Sequence, residues 1–191
     1  MSLMLLGILN SQAAGGVEGA YDLLETTTLT SSASSVTFSS LGAYSDYAHL
    51  QIRMVARSDW SSVYINDVDV TFNSISSASY ASHTLYGDGN QAYSTGSTSA
   101  NFIRVKDVVP SANTLSSAFG AAIIDILDFS KSSKNTTTRQ LSGAVVADET
   151  KIVLGSGLLN NTVAVTSINL ASSNGSYVTG SRFSLYGIKG A

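Results

Sequence analysis

The sequence predicts an all-β protein, either a sandwich or a barrel, and three observations support this fold class. Ten or so short segments with strand character follow one another at spacings of about 8 to 15 residues. No segment carries a long apolar face with helical periodicity. Only 12% of the 191 residues are charged, about half the usual quarter. Ser and Thr are abundant instead, and they suit the outer faces of strands that bury β-branched and aromatic residues.

The individual strands are predicted from apolar and polar residues that alternate along the chain. The clearest example is segment 50–56, in which every second residue is apolar and Gln51 and Arg53 occupy positions between them. The closing segment, 182–188, alternates in the same way and places Phe183 and Leu185 on one face. The other predicted strands cover residues 35–40, 63–66, 68–72, 82–87, 101–109, 118–129, 139–146, 151–154 and 163–170.

Three predictions after residue 80, a strand, a turn and a loop, depend on residue types other than the strand alternation. Residues 118–129 are mostly apolar, so helix and strand compete there, and Ile residues beside Gly favour a buried strand. Residues 87–90, Gly-Asp-Gly-Asn, predict a tight turn because Gly and Asn tolerate positive φ. Residues 131–137 predict a polar loop. The composition does not change along the chain, so we expect one β-sandwich domain over residues 20–191.

The first 19 residues predict a short apolar arm on a flexible hinge. No Lys or Arg precedes the apolar run, which argues against a signal peptide and for retention of the arm. The run is also far shorter than the roughly 20 residues of a membrane span. Glycines at 15, 16 and 19 resist regular structure and predict the hinge. The arm residues expected to dock on a partner are Leu3, Leu5, Leu6, Ile8 and Leu9.

Charge and cysteine content exclude several function classes. Ten Lys and Arg stand against 13 Asp and Glu, giving a net charge of −3 with no basic cluster. Nucleic acid is therefore not an expected partner. The absence of cysteine excludes disulfides, thiolate catalysis and Cys-ligated metals. We expect stability to come from core packing or from assembly.

Nucleophilic catalysis has one weak candidate set. Ser82, His83 and Asp88 supply the residue types of a hydrolytic triad. Ser is so abundant that any His has one nearby, and no Gly-x-Ser-x-Gly elbow lies between a strand and a helix. We therefore expect no catalytic residue of this kind.

A carboxylate pair, Asp125 and Asp128, is the second candidate for catalysis, since paired carboxylates serve glycoside hydrolysis. The preferred interpretation is that Asp125 pairs with Arg139 or Lys134, while Asp128 begins the turn into the polar loop. We therefore expect that the protein is not an enzyme.

An oxygen-ligand cluster for calcium is suggested by Asn66, Asp67 and Asp69. The Gly and Glu that an EF-hand loop requires do not follow at the right spacing. Strand alternation places both Asp side chains on one exposed face, so a solvated turn is the preferred interpretation. No metal and no cofactor is expected.

Aromatic residues beside Ser-rich turns are the best candidates for surface recognition. Exposed Tyr and Trp combine contact area with a polar group, as at interfaces and sugar sites. The alternative is that they are ordinary half-buried residues of a sandwich. The candidates are Trp60, Tyr64, Tyr80 and Tyr93.

An ordered series of short motifs runs through most of the chain and ends in Ser-Arg-Phe-Ser-Leu-Tyr-Gly-Ile-Lys-Gly at residues 181–190. The series resembles small virion structural proteins of tailed bacteriophages, common in phages of cyanobacteria and other aquatic or soil bacteria. Where relatives tend to carry a Gly/Asp-rich turn, residues 72–77 read Phe-Asn-Ser-Ile-Ser-Ser, so no ligand role is expected there. The earlier motifs lie at residues 5–8, 21–27, 36–40, 47–53, 83–89, 124–129, 134–137, 155–162 and 165–168.

The resemblance implies a non-enzymatic protein with a jelly-roll-like antiparallel β-sandwich. It implies display on the virion surface, as capsid decoration or cement or as part of a head or tail fibre, after synthesis in the cytoplasm of the bacterial host. The expected partners are other virion proteins, reached through the N-terminal arm, and two further copies in a homotrimer. The alternative function is a receptor- or glycan-binding module of a tail fibre, which contacts a glycan of the host surface.

Overall fold

The computed structural model describes residues 19–146 and 149–190, which fold into two antiparallel β-sheets packed face to face. The predicted all-β sandwich is confirmed. A single turn of 3₁₀ helix, Leu41–Tyr44, is the only helix among these residues. The strands are β1 (Tyr21–Thr28), β2 (Ser35–Phe38), β3 (His49–Ala56), β4 (Ile65–Phe72), β5 (Tyr80–Gly87), β6 (Ala92–Ala100), β7 (Ile103–Pro110), β8 (Gly120–Leu127), β9 (Thr136–Val145), β10 (Thr150–Leu159), β11 (Ile168–Ser172) and β12 (Arg182–Ile188).

The strand order is that of a jelly roll with two added hairpins. The large sheet has the order β1-β12-β3-β8-β9-β10-β5-β6, and the small sheet has the order β2-β11-β4-β7. Four antiparallel pairs nest within one another along the chain: β1 with β12, β2 with β11, β3 with β8, and β4 with β7. This is the pattern of one long hairpin rolled into two sheets. The hairpins β5–β6 and β9–β10 extend the large sheet beyond β8.

The core lies between the two sheets and follows the alternation of the strands. On β3 the predicted apolar face points inward, and on β12 both Phe183 and Leu185 are fully buried, as predicted. The ring of Phe183 packs edge-on against Tyr177 with 4.9 Å between centroids. Burying each large side chain contributes about 1.5–3 kcal/mol. The small sheet contributes buried Val36, Phe38, Val68, Val70, Phe72, Ile103, Val105, Ile168 and Leu170.

The large sheet curls around β7, the edge strand of the small sheet. The Nε2 group of Gln140 on β9 donates to the backbone oxygen of Arg104 at 2.9 Å. The hydroxyl of Ser142 donates to the backbone oxygen of Lys106 at 3.2 Å. Two carbonyl groups of an edge strand thus find partners in the facing sheet, which shields that edge. The same curl leaves the β5–β6 hairpin beyond the rim of the small sheet.

A carboxylate on β1, that of Asp22, bonds this strand to two residues outside it. Asp22 Oδ2 accepts a hydrogen bond from the Tyr47 hydroxyl at 2.9 Å and lies 3.3 Å from Nζ of Lys189. These two partners, the Tyr47 hydrogen bond first, hold the pKa of Asp22 below its ordinary value. A carboxyl group whose pKa is lower in the folded state stabilises that state above the unfolded pKa, and this contribution disappears as the pH falls.

We therefore expect wild-type protein to lose thermal stability more steeply than Asp22→Asn as the pH falls below about 4. Thermal unfolding between pH 6 and pH 2 measures the difference. Glu25→Gln on the same strand is the control, because Glu25 makes no ion pair or side-chain hydrogen bond within the described residues. If thermal stability changes with pH in the same way for wild type and Asp22→Asn, the contacts of Asp22 do not contribute to stability.

Candidate assembly surface

The outer face of the large sheet carries aliphatic side chains in register across four adjacent strands. Ile123 on β8 pairs with Leu141 on β9, Leu141 with Leu154 on β10, and Leu154 with Leu85 on β5. Their exposed fractions are 40%, 45%, 56% and 50%. Facing residues of paired strands have Cβ atoms about 5 Å apart, so the four side chains form one continuous row.

A second row, one pleat away, turns this surface into a shallow groove. Val55 pairs with Ala121, and Ala121 pairs with Gly143, which in turn faces Ile152. Small residues in the middle of the row leave a depression of about 790 Å³ between the larger side chains. Val145, at the end of β9, is 74% exposed beside it. We call Val55, Leu85, Ile123, Leu141, Val145, Ile152 and Leu154 the apolar band.

Polar and charged residues border the apolar band along the next row of the sheet. Asp125 accepts hydrogen bonds from Gln51 at 2.7 Å and from Arg139 at 3.0 Å. At the β3 end of the first row, opposite Ile123, the guanidinium of Arg53 lies over the rings of Tyr21 and Tyr186, at 5.1 and 4.5 Å. An apolar centre with a polar, hydrogen-bonded rim is the usual anatomy of a protein interface.

The apolar band consists of adjacent exposed side chains, not of single hydrophobic residues scattered over the surface. Single exposed Leu or Ile residues are normal on monomers, whereas a contiguous patch beyond a few hundred Å² marks an interaction site. The apolar band crosses five strands, from β3 to β5, which is roughly 19 Å at the usual strand spacing. Nothing in residues 19–146 and 149–190 packs over it. The apolar band is therefore an exposed surface within these described residues.

The four aromatic residues predicted for recognition do not form one surface. Trp60 and Tyr64 lie in the loop between β3 and β4, whereas Tyr93 lies on β6 and stacks on Tyr86 at 5.0 Å. Tyr64 and Tyr93 are partly exposed. Tyr80 is 1% exposed, so its prediction as a surface residue is wrong.

Tyr80 is a core residue because its hydroxyl group has partners inside the protein. The hydroxyl accepts from the backbone N–H of Phe72 at 2.9 Å and donates to the backbone oxygen of Ile75 at 3.0 Å. A buried Tyr hydroxyl usually finds a hydrogen-bond partner in this way. The arm residues Leu3, Leu5, Leu6, Ile8 and Leu9 lie outside the described residues, so their docking role stays a prediction.

The residues considered for hydrolysis do not come together. Ser82 faces the inside of β5 and His83 the outside, because successive strand residues point to opposite faces. The carboxylate of Asp88 accepts the backbone N–H groups of Asn90 and Gln91 at 2.9 and 2.8 Å, which fixes the tight turn between β5 and β6.

Asp125 and Asp128, the carboxylates considered for catalysis, form separate ion pairs. Asp125 pairs with Arg139, as the preferred interpretation expected. Asp128, with φ of 52°, turns the chain out of β8 and lies 2.6 Å from Nζ of Lys134. Lys134, with coulombic help from His49, holds the pKa of Asp128 below its ordinary value. Both carboxylates therefore serve structural roles here.

The carboxylates considered for calcium lie within β4, not in a solvated turn as expected. Asp67 occupies an irregularity in the pairing of β4 with β7, and its Oδ1 accepts the backbone N–H of Asp107 at 2.8 Å. Asp69 pairs with Arg104 at 3.0 Å. Burial raises the pKa of Asp67, partly offset by the hydrogen bond from Asp107. Within the described ranges no three His, Asp or Glu residues are grouped as a metal site.

Comparisons of the chain with models of protein families, with curated proteins and with solved structures found no match. In the part of the chain that the structure describes, none of the helical segments has the length and apolar character needed to cross a membrane.

Sequence reasoning missed the apolar band, although a signal was present. Residues 121–124 and 152–154 are apolar at consecutive positions, so both faces of these strands carry apolar side chains. A strand with one solvated face alternates instead. Consecutive apolar residues therefore indicated that both faces of these strands carry apolar side chains.

Proposed function

We propose that the protein is a non-enzymatic structural protein of a tailed-bacteriophage virion, whose copies associate through the apolar band. The observation that carries this proposal is the continuous apolar surface on the outer face of the large sheet. The jelly-roll strand order and the motif series that ends at residues 181–190 support the assignment to a virion. The fold alone does not decide function, because the same topology serves unrelated proteins.

A second copy of the chain is the partner that the apolar band fits best. The centre of the band carries no charged group, so two bands meet without leaving a buried charge unpaired. Self-complementary contacts of this kind form twofold dimers, the commonest homo-oligomers. The family resemblance implies three copies, in which the band would lie against a different surface of the next copy, and residues 1–19 would attach the oligomer to other virion proteins.

The proposed location is the surface of the particle. There the protein would serve as capsid decoration or cement, or as part of a head or tail fibre. Quantitative mass spectrometry of gradient-purified virions tests it. We expect the protein to co-purify with the particles at a fixed ratio to the major capsid protein. Many copies would assign it to the capsid and a few copies to the tail. Complete absence from particles that contain the other structural proteins would overturn the proposal.

A further inference from the structure

A cleft of about 450 Å³ lies where the β5–β6 hairpin extends past the small sheet. The hairpin forms one wall, and the edge strand β7 with its neighbour β4 forms the other. The volume falls within the roughly 300–1,000 Å³ of small-molecule sites. The cleft lies on the inner side of the hairpin, whereas the apolar band covers the outer side of the large sheet.

The hairpin wall presents four hydroxyl groups in a square. Ser82 faces Ser97 across the two strands, and Thr84 faces Thr95 one pleat further along. All four residues line the cleft. Within the described residues none of these hydroxyls makes a side-chain hydrogen bond. Each one is therefore available as both donor and acceptor for a ligand.

The opposite wall is charged but nearly balanced. Arg104 and Lys106 project from β7, and Asp67 projects from β4. Arg104 pairs with Asp69 at 3.0 Å and lies 3.6 Å from Asp67, while Lys106 pairs with Asp107 at 2.8 Å. Two cations thus stand beside three carboxylates. This wall therefore offers fixed donors and acceptors, and each of its two positive charges is already paired with a carboxylate.

Both cationic side chains of the cleft lie against aromatic rings. Phe102 lines the cleft, and the guanidinium of Arg104 lies 4.8 Å from its ring centre. The ammonium of Lys106 lies 4.6 Å from the ring centre of Tyr86, which stacks on Tyr93. These contacts hold both cationic side chains in place, so the charged wall is pre-organised for binding.

We propose that this cleft binds a neutral saccharide unit. A sugar ring carries several hydroxyl groups that each need a partner, and the cleft supplies four hydroxyls together with carboxylate, guanidinium and ammonium groups. An apolar ligand would leave the four hydroxyls unpaired, which costs binding energy for each of them. An anionic ligand would meet the carboxylate of Asp67, while both cations of the lining are already paired with carboxylates. The proposal does not depend on assembly through the apolar band.

Saturation-transfer NMR tests the proposal with glucose, galactose, mannose and N-acetylglucosamine as probes, each at millimolar concentration. We expect saturation transfer to at least one of them. The double variant Thr95→Val with Ser97→Ala should weaken that binding at least tenfold. Both residues are exposed on β6, so the variant keeps the fold, which circular dichroism checks. Ser94→Ala is the matched control, since Ser94 lies on the same strand but faces outward opposite Leu85.

Three outcomes would overturn the proposal. The first is no transfer to any of the four sugars, and the second is equal binding by wild type and the double variant. The third is tighter binding of glucuronate than of glucose, which would assign the cleft to anions. Leu154→Asp, in the apolar band, should bind sugar like wild type. The proposal for the cleft and the proposal for the assembly surface can therefore be disproved independently.

Discussion

Gly120→Ala should lower the free energy of unfolding by about 3 kcal/mol or more, the largest stability effect that we expect from a single methyl group. Gly120 begins β8 at the point where this strand of the large sheet crosses β7 of the small sheet. A Cβ on Gly120 would overlap the backbone oxygen of Val108 and lie 2.8 Å from Cδ of Pro110. Neither atom belongs to the end of a flexible side chain, so the two strands would have to move apart.

Gly42→Ala is the matched control for this substitution. Gly42 lies in the 3₁₀ turn, and a Cβ there has no neighbour within 4 Å. We expect Gly42→Ala to be neutral or to stabilise by up to about 1 kcal/mol, because Ala loses less conformational freedom on folding. Urea unfolding of the three proteins measures the difference. A Gly120→Ala variant within about 0.5 kcal/mol of wild type would contradict the close approach of β7 and β8.

Leu154→Asp should weaken self-association at least a hundredfold. Leu154 lies at the centre of the apolar band with 56% of its surface exposed, so the substitution leaves the folded subunit intact. In the assembled state the new carboxylate would be buried without a partner, and this costs several kcal/mol. Each 1.4 kcal/mol is a factor of ten in the association constant.

Ser156→Asp supplies the control, because Ser156 lies two residues further along the same face of β10, in the polar row opposite Arg139. Light scattering coupled to size-exclusion chromatography measures the mass of each variant over a range of concentrations. We expect oligomers for wild type and Ser156→Asp and monomers for Leu154→Asp. Wild-type protein that stays monomeric at every concentration would contradict assembly through this surface.

The sequence predicted strands well where burial imposes alternation. The segment 50–56 became β3 with its apolar face inward, and the closing segment became β12. The strand β6 was missed because Ser, Thr, Gly and Ala residues are exposed along nearly its whole length, so no apolar period exists to detect. The strand β1 was missed because its pairing shifts between Leu23 and Glu25, which breaks the alternation.

The functional surfaces were harder to predict because they depend on which strands become neighbours. The row from Ile123 to Leu85 joins residues that lie far apart along the chain, and only the inserted hairpins bring them side by side. The burial of Tyr80 likewise depends on Phe72 and Ile75, which approach its hydroxyl only in the folded chain. The pairing of Asp125 with Arg139 could be predicted from the sequence, since opposite charges on successive strands are a local pattern.

Thiol labelling in intact virions tests the central claim most directly. The natural chain has no cysteine, so Leu154→Cys gives a single thiol in the apolar band and Ser94→Cys a single thiol beyond its edge. If copies of this protein assemble in the particle through the band, a maleimide probe will label position 94 in virions but leave position 154 protected. Both positions should react in the dissociated protein. Equal labelling of position 154 in virions and in dissociated protein would contradict the account.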